Sequence, residues 1–291
     1  MSVNKRSVGE LAFDYLNVIF FSIFSLLCLY PFLYMLNISI SSGVAAGKYG
    51  LNLIPKGVTL EYYGQMFKTG AVVRGFFNSV QRTALGTALS LIITTCGAYP
   101  LSKKYLPNRN FWTTFVLIPM FFSGGLIPTY LVIRSLHIMD TIWVLVLPLA
   151  VSTFNLILVR NFMMSLPASL EESAKIDGAN DMVILFKIIL PVLKPVLATI
   201  GLWSAVLHWN QWFDALIYVT TESKMVLQVV LHHILTMGAQ RLAVGNVSDN
   251  IPYPHITKAC IIVITTLPII MVYPFAQKYF IKGIMIGSLK G

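Results

Sequence analysis

Charge is scarce in this sequence. Only 11% of its 291 residues are charged, while 56% are hydrophobic, and the mean hydropathy is +0.75. A soluble globular domain carries about twice that share of charge. A water-facing surface cannot be built from so little, so lipid is the expected solvent. Acidic residues are the scarcer sign, 11 against 21 Lys and Arg, for a net charge of +10. A basic excess can mark nucleic-acid binding, but here the basic residues are scattered among apolar runs and form no face or block, which argues against nucleic acid as a partner. In a membrane protein the same excess belongs at cytoplasmic helix ends.

Cysteine is scarce too. Cys28, Cys96 and Cys260 fall inside apolar runs. Their odd number and lack of short spacing argue against a disulfide framework or a zinc site, and they read as small hydrophobes. His232 and His233 are adjacent, a spacing unsuited to chelation, and lack nearby carboxylates, so no metal is expected. Phosphate-binding glycines are missing: Gly47-Lys48 is followed by Tyr49 and has no upstream glycine at the required spacing. No nucleophile–base constellation can be assembled either. The chain is therefore not expected to be an enzyme or to hold a cofactor of its own.

What is present is a succession of long apolar runs. The first, about 15–38, comes after a short basic start with Lys5 and Arg6. It exceeds the 7–15 residues of a signal-peptide core, so it reads as an uncleaved span with its N-terminus inside. Further spans are expected at about 77–101, 111–132, 141–164, 196–219 and 256–279. Asn78 and Ser79 are candidate caps for the second. Gly124, Gly125 and Pro128 interrupt the third, and Pro148 and Asn155 lie in the fourth. Lys103, Lys104 and Arg109 place the loop after the second span in the cytoplasm, and Lys278, Lys282 and Lys290 place the C-terminal tail there. The expected fold is all-α, one transmembrane domain over 1–291 with about six helices and both termini cytoplasmic. A long outer segment covers 220–255.

The inner loop 165–195 is the exception to this apolar pattern. From Leu170 to Pro195 it carries Glu171, Glu172, Lys175, Asp177, Asp181, Lys187 and Lys194. Pro167 discourages continuation of the fourth span, and Ser169 with Glu172 makes a capping-box pattern for a new short helix. Gly178 is a natural left-handed stop, and Asn180 can take the turn or cap a second helix. Pro191 and Pro195 are expected to break or kink the entry into the fifth span. A helix of about nine residues needs tertiary support. Ser173 and Ala174 leave a low surface for close approach. On these grounds the loop is either a solvated connector or a docking element.

Glu172-Ser173-Ala174, Gly178, Ile188, Leu190 and Pro191 match the cytoplasmic loop motif of ABC importer permeases, E-A-A-x3-G-x9-I-x-L-P, at every spacing. Ser173 stands where that family usually has Ala. The run EESAKIDGAN resembles the carbohydrate-transporting branch. GGLIPTY at Gly124–Tyr130, FNLILVRNF at Phe154–Phe162, WNQWFDALIY at Trp209–Tyr218 and GSLKG at Gly287–Gly291 are similar to a subgroup related to the maltose permease smaller subunit, the lipoprotein- or polysaccharide-type sugar permeases. The resemblance implies a type I importer permease fold in the bacterial cytoplasmic membrane. It implies a coupling helix over Leu170–Asp177, with Glu171, Glu172, Ser173, Ala174, Asp177 and Gly178 at the ATPase contact. It also implies a homologous second permease, two cytoplasmic ABC ATPases that use ATP and Mg, an extracytoplasmic binding protein that meets the loop before the last span, and a carbohydrate substrate.

Trp209, Asn210, Gln211, Trp212 and Asp214 sit in the middle-to-outer part of the fifth span. Polar groups at that depth face a cavity or a partner. Aromatics beside amides suit a sugar, with its apolar C–H face and rim of hydroxyls; an interfacial aromatic belt with inter-helix hydrogen bonds is the other reading. Asn155 joins these as a pathway candidate. Arg82 is expected to snorkel to the outer interface, with pairing to Asp214 or to an acidic substrate as the alternative. Asp214 is also the one evident carboxylate for an ion-coupled secondary transporter, the competing function class.

Overall fold

The computed structural model describes residues 8–43, 54–244 and 254–288. Lys5, Arg6, Lys48 and Lys290, and the end of the GSLKG run, lie outside these residues. The described chain is helical. Four of its helices are long and apolar enough to cross a membrane, and six if each of two bent pairs is one span.

The chain divides into two compact units. Unit 1 comprises Met1–Thr69 and His233–Leu267. It contains α1 (Val8–Ser39) and α2 (Glu61–Lys68). Apolar side chains of α1 are exposed all round the helix, as a helix surrounded by lipid requires. Its C-terminal end is the packed part. Tyr63 Oη donates to Ser39 Oγ at 2.8 Å, and the Cys260 thiol donates to the Ser39 carbonyl at 3.4 Å.

Unit 2 comprises Gly70–His232 and Pro268–Gly291. Its central helix is α3 (Ala71–Ser102), which starts six residues before the sequence-based start at Phe77. Asn78 and Ser79 are therefore not its caps. They serve a different segment: Asn78 Nδ2 donates to the carbonyls of Ser223 and Met225, and Ser79 Oγ accepts from the Leu227 N–H.

The third span is broken. α4 (Arg109–Phe121) and α5 (Leu126–Ser135) meet at 114° across the Gly124–Gly125 interruption. Gly125 has φ +81°, which a residue with a side chain rarely adopts. α6 (Ile142–Val146), a 3₁₀ turn (Leu147–Leu149) and α7 (Thr153–Met164) come next, bent by 50°. Ser152 caps α7 by accepting the Asn155 N–H at 3.3 Å.

The 165–195 loop then folds as α8 (Ser169–Ile176) and leads into α9 (Asp181–Asn210). The fifth helix thus begins well before Val196. Pro191 and Pro195 do not break it. Ile184–Ile189 is a π-helical segment, and Pro191 sits at the start of the α-helical turns after it. That is the position where a helix tolerates a missing N–H. α9 ends at Asn210, and α10 (Phe213–Tyr218) resumes after Gln211 and Trp212.

The 220–255 segment, read as a polar loop, contains a helix, α11 (Leu227–Val244). The last helix is α12 (Pro254–Ser288).

Two apolar clusters hold unit 2 together. One joins Ala98, Tyr99 and Leu101 of α3 to Leu156, Val159 and Met163 of α7, Ala174 of α8, and Ile184, Ile189, Leu193 and Ile200 of α9. The other joins Ile133 of α5, Val144 and Leu145 of α6, Ala215 and Tyr218 of α10, and Val226 and Val229.

Candidate functional site

Two polar regions stand out in unit 2, the α8 loop and the break between α9 and α10.

α8 starts one residue too early for the capping box. Ala168 already has helical φ/ψ of −60° and −30°, and Ser169 is the first helical residue. The N–H groups of Glu171 and Glu172 both reach the Ala168 carbonyl, and that of Leu170 reaches the Pro167 carbonyl. The donors a capping side chain would satisfy are thus taken by the preceding turn. The C-terminal end agrees with the sequence-based expectation. Gly178 has φ +78°, its N–H bonds to the Lys175 carbonyl, and the Ala179 N–H bonds to the Ala174 carbonyl at 2.9 Å. This is a Schellman stop. Asn180 Oδ1 then caps α9 through the Val183 N–H at 2.9 Å.

α8 is anchored on one side and open on the other. Ala174 is buried in the α3–α7–α9 cluster. Glu171 is ion-paired and hydrogen-bonded with Lys103, just past the end of α3, and the Lys103 ammonium also lies 4.0 Å from the centre of the Tyr99 ring. Lys175 sits 4.5 Å from the Tyr105 ring centre and 4.0 Å from Asp181, while Tyr105 Oη donates to Asp181. Burial and the neighbouring carboxylates raise the Tyr105 pKa, so its hydroxyl keeps its proton. On the other side Glu172, Ser173, Asp177 and Gly178 are exposed. Ile176 joins them, 86% exposed. The sequence did not single out Ile176 as a contact residue. The available signal was a β-branched apolar residue three and four positions from Ser173 and Glu172, on the same helix face.

At the break, the Arg82 guanidinium is 0% exposed, which overturns the snorkelling expectation. Nη1 donates to the Gln211 carbonyl at 2.8 Å, and Nη2 is paired with Asp214. One buried cation therefore bonds to the last turn of α9 and the first turn of α10. Burial of an ion requires such compensation. The Asp214 carboxylate also accepts the Ala215 N–H. The carboxylate an ion-coupled transporter would use is thus committed to an internal pair.

The other fifth-span candidates gather at the same break. Trp209 is buried, packs edge-on against Phe76, and helps line an apolar cavity of about 580 Å³ with Thr83, Thr87, Val206 and Tyr273. Asn210 is exposed, and its side chain donates to the Val206 carbonyl. The Trp212 ring stacks on His232 at 4.3 Å. Asn155 lies elsewhere, buried in the first turn of α7.

Beyond the break, Asp140 holds the far end of α10. Its N–H donates to the Tyr218 carbonyl, and its carboxylate accepts from the Thr220 and Thr221 N–H groups, the Thr221 hydroxyl and Lys224. These bonds hold its pKa far below the usual carboxylate range, Lys224 contributing most.

A set of broken apolar helices with a short, anchored polar helix on one loop is the arrangement of a multi-pass membrane protein. The chain matches, over residues 1–286, the family described as the binding-protein-dependent transport system inner membrane component, and it belongs to that family. It is 41% identical over 280 residues to Protein LplC of Bacillus subtilis (strain 168), covering 96% of this chain and 95% of that one. It is 40% identical over 281 residues to the polygalacturonan/rhamnogalacturonan transport system permease protein YtcP of the same organism, covering 96% and 98%. Among solved structures it is similar to a bacterial ABC transporter involved in the import of the acidic polysaccharide alginate. That likeness has a TM-score of 0.86 and 34% identity, and covers 96% of this chain and 100% of that one.

Proposed function

We propose that this chain is one permease subunit of a binding-protein-dependent ABC importer for an oligosaccharide. The observation that carries this reading is the α8 loop. Its helix is tied down through Ala174 and Glu171 and presents Glu172, Ser173 and Ile176 outward. A rigid, capped helix of this kind transmits force better than a flexible connector. The partners are a homologous second permease, two cytoplasmic ATPases that bind ATP and Mg, and an extracytoplasmic binding protein. The α8 loop and both termini face the cytoplasm, and the 220–255 segment faces the binding protein. Asn155, Trp209, Asn210, Gln211, Trp212 and Asp214 remain the pathway candidates, with Asp214 acting there through its pair with Arg82.

The relatives named for polygalacturonan and rhamnogalacturonan transport and for alginate import make a uronate-bearing oligosaccharide the first substrate class to test. The test is affinity capture of the chain from its own membranes, with identification of the co-purified subunits and of the ligand held by the binding protein. Recovery of a second permease and an ATPase supports the assembly, and a bound oligosaccharide supports the substrate class. Recovery of the chain with no ATPase would refute the reading.

A further inference from the structure

The cation that joins the two sides of the α9–α10 break comes from a third helix. Arg82 lies on α3, and its two bonds reach the Gln211 carbonyl on one side and Asp214 on the other. The backbone ladder is interrupted there, since Gln211 is extended and ends α9. A displacement along α9 therefore cannot pass into α10 through continuous helical hydrogen bonds.

The inner half of α9 is also poorly built to carry a displacement. It contains the π segment Ile184–Ile189, and Pro191 and Pro195 cannot donate to the ladder. α3 is different. It is one unbroken helix from Ala71 to Ser102, with its single proline, Pro100, in the last turn. At its inner end Lys103 is largely buried and paired with Glu171 of α8. Arg160 of α7 donates to the Leu101 carbonyl at 3.1 Å and fixes that end further. From Arg82 to Lys103 the helix spans about 30 Å at about 1.5 Å per residue. Along this length α3 is closely fitted to α9: Gly86 lies against His208, and Ser90 Oγ and Ser204 Oγ are 3.3 Å apart.

We infer that Arg82 is a positioning residue that fixes the broken fifth span, and that α3 is the strut through which movement of α8 reaches that break, from Glu171 through Lys103 to Arg82. This rests on the importer reading for the source of the movement, and on geometry alone for the role of Arg82. A carrier of coupling should be a contiguous physical element with partners at both ends, and α3 has both.

The test uses the purified complex in nanodiscs with Cys28, Cys96 and Cys260 replaced by Ser. Cysteine is placed at Ala215, which is 0% exposed on α10, or at Ala98, which is 0% exposed in the α3–α7–α9 cluster. Maleimide labelling rates are then compared. In the resting complex R82Q should speed labelling at position 215 at least about fivefold and leave position 98 unchanged. R82K should fall between the two, because an ammonium cannot reproduce the two-pronged guanidinium contact. An unchanged rate at 215, or acceleration at both positions, would overturn the positioning role. With Mg-ATP and vanadate, labelling at 215 should change at least about threefold in the parent, and the change should vanish in K103Q complexes isolated with their ATPase subunits still bound. A nucleotide response that survives K103Q would overturn the strut. If no ATPase co-purifies with the parent chain, the importer reading and the strut it drives both fail, while the resting comparison still decides the role of Arg82.

Discussion

Gly86 of α3 lies directly against the buried imidazole of His208 on α9. A Cβ built on Gly86 would stand 2.4 Å from Nε2 and 2.5 Å from Cε1. Neither His208 ring nitrogen has a hydrogen-bond partner among the described residues, so shape, not bonding, seats the ring. G86A should destabilise the protein by about 1–3 kcal/mol, the usual range for overpacking. H208A removes the obstacle, so G86A in an H208A background should cost much less. Unfolding midpoints of the four chains in detergent check this. Equal costs in both backgrounds would show that the ring is not what excludes a side chain at position 86.

Gly178 ends α8 with φ +78°, and a Cβ there would meet nothing within 4 Å. The position needs glycine for its backbone, not for space. A left-handed conformation costs an ordinary L-residue about 1–2 kcal/mol. Asn tolerates it better, and β-branched residues tolerate it worst. ATPase retention by the purified complex should therefore fall in the order Gly, Asn, Ala, Val. A chain in which G178V retains as much ATPase as the parent would show that the Schellman stop does not set the docking geometry.

These two glycines show how far the fold is legible in the residues alone. Gly178 and Asn180 act within their own turn, so local rules suffice to assign their roles. The succession of apolar helices and the polar loop were legible for the same reason. Gly86 was not, because its constraint comes from His208 on another helix. Arg82 was misread as an interfacial snorkeller because its partner is 132 positions away. The break at Gln211–Trp212 carries no Gly or Pro to announce it. Conversely, Pro191 and Pro195 suggested a break or kink, and the helix runs on past both. Ser169 looked like a cap, but the carbonyls of Pro167 and Ala168 satisfy the first turn before its side chain is needed.

Asp140 is the clip at the C-terminal end of α10, and it adopts φ +55°. Its folded-state pKa is depressed by Lys224 and by the Thr221 and Thr220 donors. For a depressed carboxylate the stabilising contribution is fully present above the unfolded value of about 3.9 and is lost only as pH falls through the lower folded value. The clip should therefore hold without weakening from pH 7 down to about pH 4. Hydrogen exchange at the Thr220 and Thr221 amides is the measurement. Protection relative to D140N should be the same at pH 7 and pH 5 after correction for intrinsic rates. A difference that disappears at pH 5 would mean that Asp140 has lost its charge there, so that its pKa is raised rather than lowered.

Ile176 is the least expected surface residue of α8, apolar and 86% exposed on a helix whose neighbours Glu172, Ser173 and Asp177 are polar. Singly exposed apolar residues are common on protein surfaces, and the role of Ile176 follows from the docking reading, in which it enters a hydrophobic pocket on the ATPase. Full burial of a side chain of this size is worth about 1.5–3 kcal/mol, roughly ten- to a hundredfold in affinity at about 1.4 kcal/mol per decade. I176A should therefore weaken ATPase association by about that factor, and I176D should weaken it further, since the carboxylate would be desolvated in the contact. Because Ile176 is exposed within this chain, neither change should lower the unfolding midpoint of the isolated permease. Titration of the purified ATPase onto nanodisc-embedded permease pairs reads the affinity, and a thermal scan reads the stability. If I176D binds the ATPase as tightly as the parent, α8 does not dock through this face, and the exposed pair Glu172 and Ser173 loses its assigned partner with it.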